Sequence, residues 1–287
     1  MSEKLIESKV LLQRIKKGNQ WFGYDYNINL YRGCLHGCIY CDSRSDCYEV
    51  GDFEEVKIKI NALEILEKEL ASKRTKGIIG MGSMSDPYNP YEKKYELTRK
   101  SLIMMEKAGY GVFIITKSAL VLRDIDLLKA INKKTKAIVS ITITTIDDDL
   151  AKLIEPIVSS SSERFEALKV LNESGIDAGV LLMPILPFIN DTEENVRGIV
   201  EKAYQSKAKF IYPWFGVTLR DSQREFFYGN LEKKIPGIKQ KYEKKFDSKY
   251  ACESPNAKQL YETLSLICRD KGILYKMEEI NILFVYK

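Results

Sequence analysis

GIIGMGSMSDPYNPYEKKYELTRKSLIMMEKAGYGVFIITKSA, residues 77–119, holds one full cycle of a plan that recurs along the chain. GIIGMGSMS and GVFIITKSA open on apolar runs and read as strands of a parallel sheet. Between them ELTRKSLIMMEKAGY has helical spacing and stops at Gly109, a residue type suited to the left-handed position after a helix. Two strands joined through a helix run parallel, because a hairpin needs only a short turn. Working outward, DYNINLY, AIVSITITT, AGVLLMPIL and KFIYPWFGV read as further strands. NALEILEKELASK, with Leu63, Leu66 and Leu70 on one face, reads as a helix, as do LRDIDLLKAINKK, SSERFEALKVLNESG and TEENVRGIVEKAYQS. Thr192 ahead of Glu193, Glu194 and Asn195 caps the last of these.

About six strand–helix units fall short of the eight that close a full barrel. The expected fold is α/β, a partial (β/α)6 TIM-type barrel with a C-terminal helical extension; a doubly wound sheet also fits the pattern. In either arrangement the chemistry belongs at the C-terminal ends of the strands. The expected boundaries are an N-terminal segment over 1–23, the barrel over 24–217 and the extension over 218–287. In the extension, SPNAKQLYETLSLICRDKG reads as one amphipathic helix and NILFVYK as a strand.

With 287 residues, 45% hydrophobic and 30% charged, the chain can bury a large core in one domain. The net charge of +5 permits an anionic partner without signalling nucleic acid by itself. No signal peptide or membrane span is expected, and six clustered cysteines suit a reducing cytoplasm.

YRGCLHGCIYC, residues 31–41, sets Cys34, Cys38 and Cys41 at the spacing C-x3-C-x2-C in the loop after the first strand. Thiolates are soft ligands for iron–sulfur clusters and zinc. Three of them on a four-iron cubane leave one iron open to a substrate or cofactor. Gly33 and Gly37 would let backbone approach such a cluster closely. The competing readings are a structural zinc site with Cys47 or His36 as fourth ligand, making the chain a zinc-stabilised binding module, and a disulfide. His36, the only histidine, is expected as a solvated loop residue.

That spacing, with Tyr40 before the last cysteine, resembles the signature of the radical S-adenosylmethionine (SAM) enzymes. NLYRGCLHGCIYCDSRS, SDPYNPYEKKYELTRKSL, ITKSALVLRDIDLL and VSITITTIDDDLAKLIEP are similar, more narrowly, to the spore photoproduct lyase-like branch, also described as DNA repair photolyase-like. The resemblance implies a [4Fe–4S] cluster on Cys34, Cys38 and Cys41 whose open iron binds SAM. It implies reductive cleavage of SAM to a 5′-deoxyadenosyl radical that abstracts hydrogen from an unknown substrate. A reductant protein such as a flavodoxin or ferredoxin is the implied partner.

For the cofactor, Lys117 at a strand end is placed to meet the carboxylate, as a lysine of that motif does in the branch. Ser85, Asp86 and Ser140 offer acceptors for the amino group and ribose, and Asp86 also reads as a turn cap. Tyr40 offers a backbone contact to the adenine, and Met183 and Ile185 an apolar wall; ordinary core explains that wall equally well. Repair members carry a cysteine hydrogen donor after the second strand, where this chain has Ser83 and Met84, so lesion repair is the alternative rather than the main reading. Nucleic acid remains a possible substrate, because Lys233, Lys234, Lys239, Lys241, Lys244 and Lys245 are interleaved with Tyr242 and Phe246. A solvated helix face reads the same residues. Trp214 and Phe215, with Tyr212 nearby, are candidate substrate contacts.

Overall fold

In the computed structural model, which describes residues 2–16 and 21–286, six parallel strands stand side by side in sequence order. They are β1 (Tyr26–Ile28), β2 (Ile78–Met81), β3 (Gly111–Thr116), β4 (Ala137–Thr142), β5 (Asp177–Leu182) and β6 (Ile211–Pro213). Helices intervene between successive strands, and β1 and β6 are not paired with each other, so the barrel is partial and open. Gln13–Arg14 adds antiparallel to β1. Ser2–Ile6, Glu55–Lys59 and Tyr31–Arg32 form a separate small sheet beside it.

Strand alternation sorts the side chains into two cores. Ile79, Met81, Val112, Ile114, Val139, Ile141 and Val180 pack in the large core with residues of the helices. Ile78, Phe113, Ile138, Leu181 and Phe210 form a second core with Phe22, Ile280 and Phe284. The helix after β2, Leu97–Ala108, ends on Gly109 in the left-handed region, whose N–H reaches the carbonyls of Met105 and Glu106. Thr192 caps Glu193–Gln205 by accepting the Asn195 N–H.

Three expectations change. KFIYPWFGV is not one strand: β6 ends at Pro213, whose nitrogen cannot donate, and Gly216–Thr218 pairs antiparallel with Ala251–Glu253. NILFVYK does not form a strand over its described residues. Asn281–Phe284 is a short helical turn, and Phe284 is drawn against Phe22 and Phe113. Lys233 and Lys234 end the helix Asp221–Lys234, and the rest of the lysine-rich stretch forms Ile238–Phe246, in which Tyr242 and Phe246 are buried against Phe188, so those rings are not available to stack on bases. That helix matches the solvated-face reading.

Candidate functional site

A cavity of about 370 Å³ opens at the C-terminal ends of the strands. Cys34, Cys38 and Cys41 line it, together with Tyr40, Ser85, Asp86, Lys117 and Met183. Ser140 and Ile185 do not. Ser140 is fully buried within β4 with its hydroxyl unpartnered, and Ile185 lies in the large core. Alternation explains the first miss: Thr142, two residues further along the same face of β4, is the residue that reaches the cavity.

The cysteine loop owes its shape to its glycines and its neighbours. Gly33 and Gly37 have φ of +82° and +70°, a region L side chains rarely adopt. A Cβ on Gly33 would lie 2.7 Å from the Phe53 carbonyl oxygen, and one on Gly37 would lie 3.0 Å from Pro156. Both glycines therefore answer to the chain around the loop. The turn Ile154–Ile157 grips the loop from below: the Ile39 N–H donates to the Ile154 carbonyl at 3.0 Å, and the Ile157 N–H to the His36 carbonyl at 3.1 Å. Ser85 adds a hydrogen bond of 2.6 Å to the Gly33 carbonyl.

Beneath Tyr40 lies a buried ion pair that the sequence did not announce. The Tyr40 hydroxyl donates to Glu155, and Arg164 donates to the same carboxylate at 2.5 Å. Arg164 is fully buried and also donates to the carbonyls of Ser159 and Thr142, each at 2.8 Å. Glu155-Pro156 ends the helix Asp148–Ile154, as its sequence suggests, but its carboxylate is turned inward as an anchor.

His36 is not a solvated residue. It is buried, with Nδ1 3.3 Å from Asp86 Oδ2. Burial would push the imidazole down, but Cys34 and Asp86 outweigh it and raise its pKa to about 10. Asp86 also accepts from the N–H groups of Tyr88 at 2.9 Å and Lys117 at 2.8 Å, and from the Thr116 hydroxyl at 2.7 Å. Desolvation would raise its pKa, yet His36 and these donors lower it to about 2. A carboxylate offers about four acceptor positions, and here the chain's own groups engage each. Asp86 is thus the hub joining the cysteine loop to the ends of β2 and β3.

Lys117 presents the opposite case. It is half-buried on the cavity wall, yet its ammonium makes no hydrogen bond or ion pair among the described residues. Burial works against the charge, but Cys38, Glu155, Asp86 and Cys41 outweigh it and raise the pKa. Its ammonium lies 5.8 Å from the centre of the Tyr40 ring, and with no hydrogen-bond acceptor among the described residues its N–H groups are available to an anion. Burial pushes the Cys38 and Cys41 thiols up, whereas His36 holds the Cys34 thiol below its usual value against the same burial.

Cys47 is exposed and off the cavity, and Cys252 and Cys268 are in the core. Among the described residues no group of three or more His, Cys, Asp or Glu side chains converges on one metal-ion position. The rim carries Trp21, Met84, Trp214 and Tyr250, of which only Trp214 and Met84 were singled out from the sequence. Phe215 is buried in the large core, and Tyr212 sits edge-on to Trp21, 6.2 Å between ring centres.

A protein of Methanocaldococcus jannaschii with no assigned function is 40% identical over 174 residues, 60% of this chain and 64% of that protein. One of Mycobacterium tuberculosis is 26% identical over 227 residues, 76% of this chain and 66% of that protein. The chain thus spans just under two thirds of the length of these curated relatives. A Pseudomonas phage M6 protein named radical SAM Nalpha-GlyT isomerase is 25% identical over 169 residues, 59% of this chain and 34% of that protein. Among solved structures, a spore photoproduct lyase superposes with a TM-score of 0.72 at 15% identity, covering 95% of this chain and 81% of the other. A second, bound to AdoMet and a dinucleoside spore photoproduct, gives 0.68 at 15% identity, covering 93% and 78%. These likenesses show a shared fold. Among the described residues no helix is long and apolar enough to cross a membrane. The radical SAM superfamily model matches residues 28–199, well over half of the chain, and the protein belongs to that superfamily of enzymes.

Proposed function

We propose that Cys34, Cys38 and Cys41 hold a [4Fe–4S] cluster and that the cavity above them binds SAM. When bound, this pair supplies reductive cleavage of the sulfonium to methionine and a 5′-deoxyadenosyl radical that takes hydrogen from a substrate C–H bond. The observation that carries the reading is the set of three cysteines lining one cavity together with Lys117, whose ammonium lies over the Tyr40 ring and has no hydrogen-bond acceptor among the described residues. A carboxylate beside Lys117 would supply the missing partner.

In this reading the chain binds and orients. Tyr40, anchored through Glu155 and Arg164, shapes the floor, and Met183 contributes an apolar wall. Ser85 and Asp86 hold the cysteine loop in register with the strand ends, and that work replaces a direct ligand role for Asp86. The barrel over 24–217 carries the site and 218–287 packs against its loops. A flavodoxin- or ferredoxin-type protein would deliver the electron. Lesion repair in the manner of the spore enzymes is not favoured: the strand-end loop reads Gly82-Ser83-Met84, and Cys252 is fully buried away from the cavity.

Anaerobically reconstituted protein, reduced with dithionite and given SAM, is expected to release 5′-deoxyadenosine and methionine, and Cys34→Ala to release neither. Equal product from wild type and Cys34→Ala would refute the assignment.

A further inference from the structure

The extension after β6 does more than cover the sheet. Leu219, Phe227 and Leu231 share one core with Cys38, Ile39 and Tyr40, so the underside of the cysteine loop is packed against the C-terminal segment. Arg44 of that loop lies between two rings, 4.5 Å from the centre of Phe53 and 3.7 Å from that of Phe226. Asp42, the residue after the last cysteine, accepts from Thr218 at 2.9 Å and from Arg220 at 2.9 Å.

One side chain of the extension reaches the loop backbone. Gln223 is fully buried, and its Nε2 donates to the Tyr40 carbonyl at 3.2 Å and to the Thr218 carbonyl at 3.1 Å. Its Oε1 accepts the Arg220 N–H at 3.0 Å. Turning the amide over would set an oxygen against two carbonyl oxygens, so this orientation is the one that satisfies all three partners. Tyr40 is therefore held at both ends, by Glu155 through the phenol and by Gln223 through the carbonyl. Tyr40 lines the cavity, and among the described residues Gln223 is the one donor to its carbonyl, which leaves the second lone pair for a donor on a ligand.

We propose that Gln223 is a positioning residue for cofactor binding: by fixing the Tyr40 carbonyl it sets the direction in which the cysteine loop offers its acceptor. The proposal deepens the cluster reading and rests on it. The test compares wild type, Gln223→Met and Gln223→Glu, all reconstituted anaerobically. It measures iron and sulfide content, melting temperature, SAM affinity by equilibrium dialysis and the paramagnetic resonance spectrum of the reduced cluster with and without SAM. Gln223→Met keeps the length and apolar packing but loses both donors and the acceptor for the Arg220 N–H. It should keep its cluster and melt below wild type because those buried partners go unsatisfied, and it should bind SAM about tenfold more weakly with a smaller SAM-dependent spectral change. Gln223→Glu should bind more weakly still, because a carboxylate would face two carbonyl oxygens. Wild-type affinity and spectra in both variants would overturn the proposal. So would parallel loss of fold and cluster in both, which would assign Gln223 to the fold alone. A wild type that holds a cluster but does not bind SAM would instead refute the cofactor reading on which the proposal rests.

Discussion

Gly33 shows how closely the cysteine loop is specified at the level of one residue. Its φ of +82° and the Phe53 carbonyl 2.7 Å from a would-be Cβ leave no relaxed place for a methyl group. An alanine there costs about 1–2 kcal/mol in backbone conformation alone, before the carbonyl has to move. Gly33→Ala should lower the melting temperature of the metal-free protein and its iron uptake; unchanged values in both would mean the loop tolerates another path. Lys117→Met should leave iron content intact and weaken SAM binding at least tenfold, on the order expected for a charge-assisted contact, since it removes the cavity's unpaired cation. Undiminished affinity would show that the carboxylate is held elsewhere. The three cysteines and Lys117 were legible because spacing and strand ends mark them. Asp86 was legible as a strand-end acceptor and turn cap, but its pairing with a buried His36 was not, because the two stand fifty positions apart and pairing across that distance leaves no local pattern.

Elements tell a similar story of local signals kept and distant ones lost. The strand and helix periodicities of the barrel were readable since each reflects its own two faces. The break at Pro213 and the turn at Asn281–Phe284 depend on which neighbour is present to pair or pack, and short apolar runs do not record that. Glu155 and Arg164 belong to the same class: a helix end and a helix face that meet across a loop. Both side chains are fully buried, so removing one charge strands the other. Arg164→Met should cost about 3–5 kcal/mol in denaturant unfolding of the metal-free protein, and adding Glu155→Gln should restore part of it. Additive losses would show that the two side chains do not act as a pair.

At the scale of the whole molecule, a core shared between the cysteine loop and the extension ties the site to the end of the chain. A chain ending at Val217 would expose Cys38, Ile39 and Tyr40 from beneath. It should lose the near-ultraviolet circular dichroism of a packed fold and fail to take up iron. A soluble, iron-binding truncation would show the barrel to be sufficient. The change of pattern after about residue 217 was visible in the sequence. The dependence of the cysteine loop on the C-terminal extension was not, because it rests on contacts between residues about 180 positions apart. If Cys34, Cys38 and Cys41 hold a cubane as proposed, one iron is left open to SAM, and electron–nuclear double resonance on the reduced protein with SAM labelled at its amino nitrogen reads that contact. A resolved nitrogen coupling to the cluster is the expected result, and a cluster with no such coupling, or a chain carrying zinc in place of iron, would contradict it.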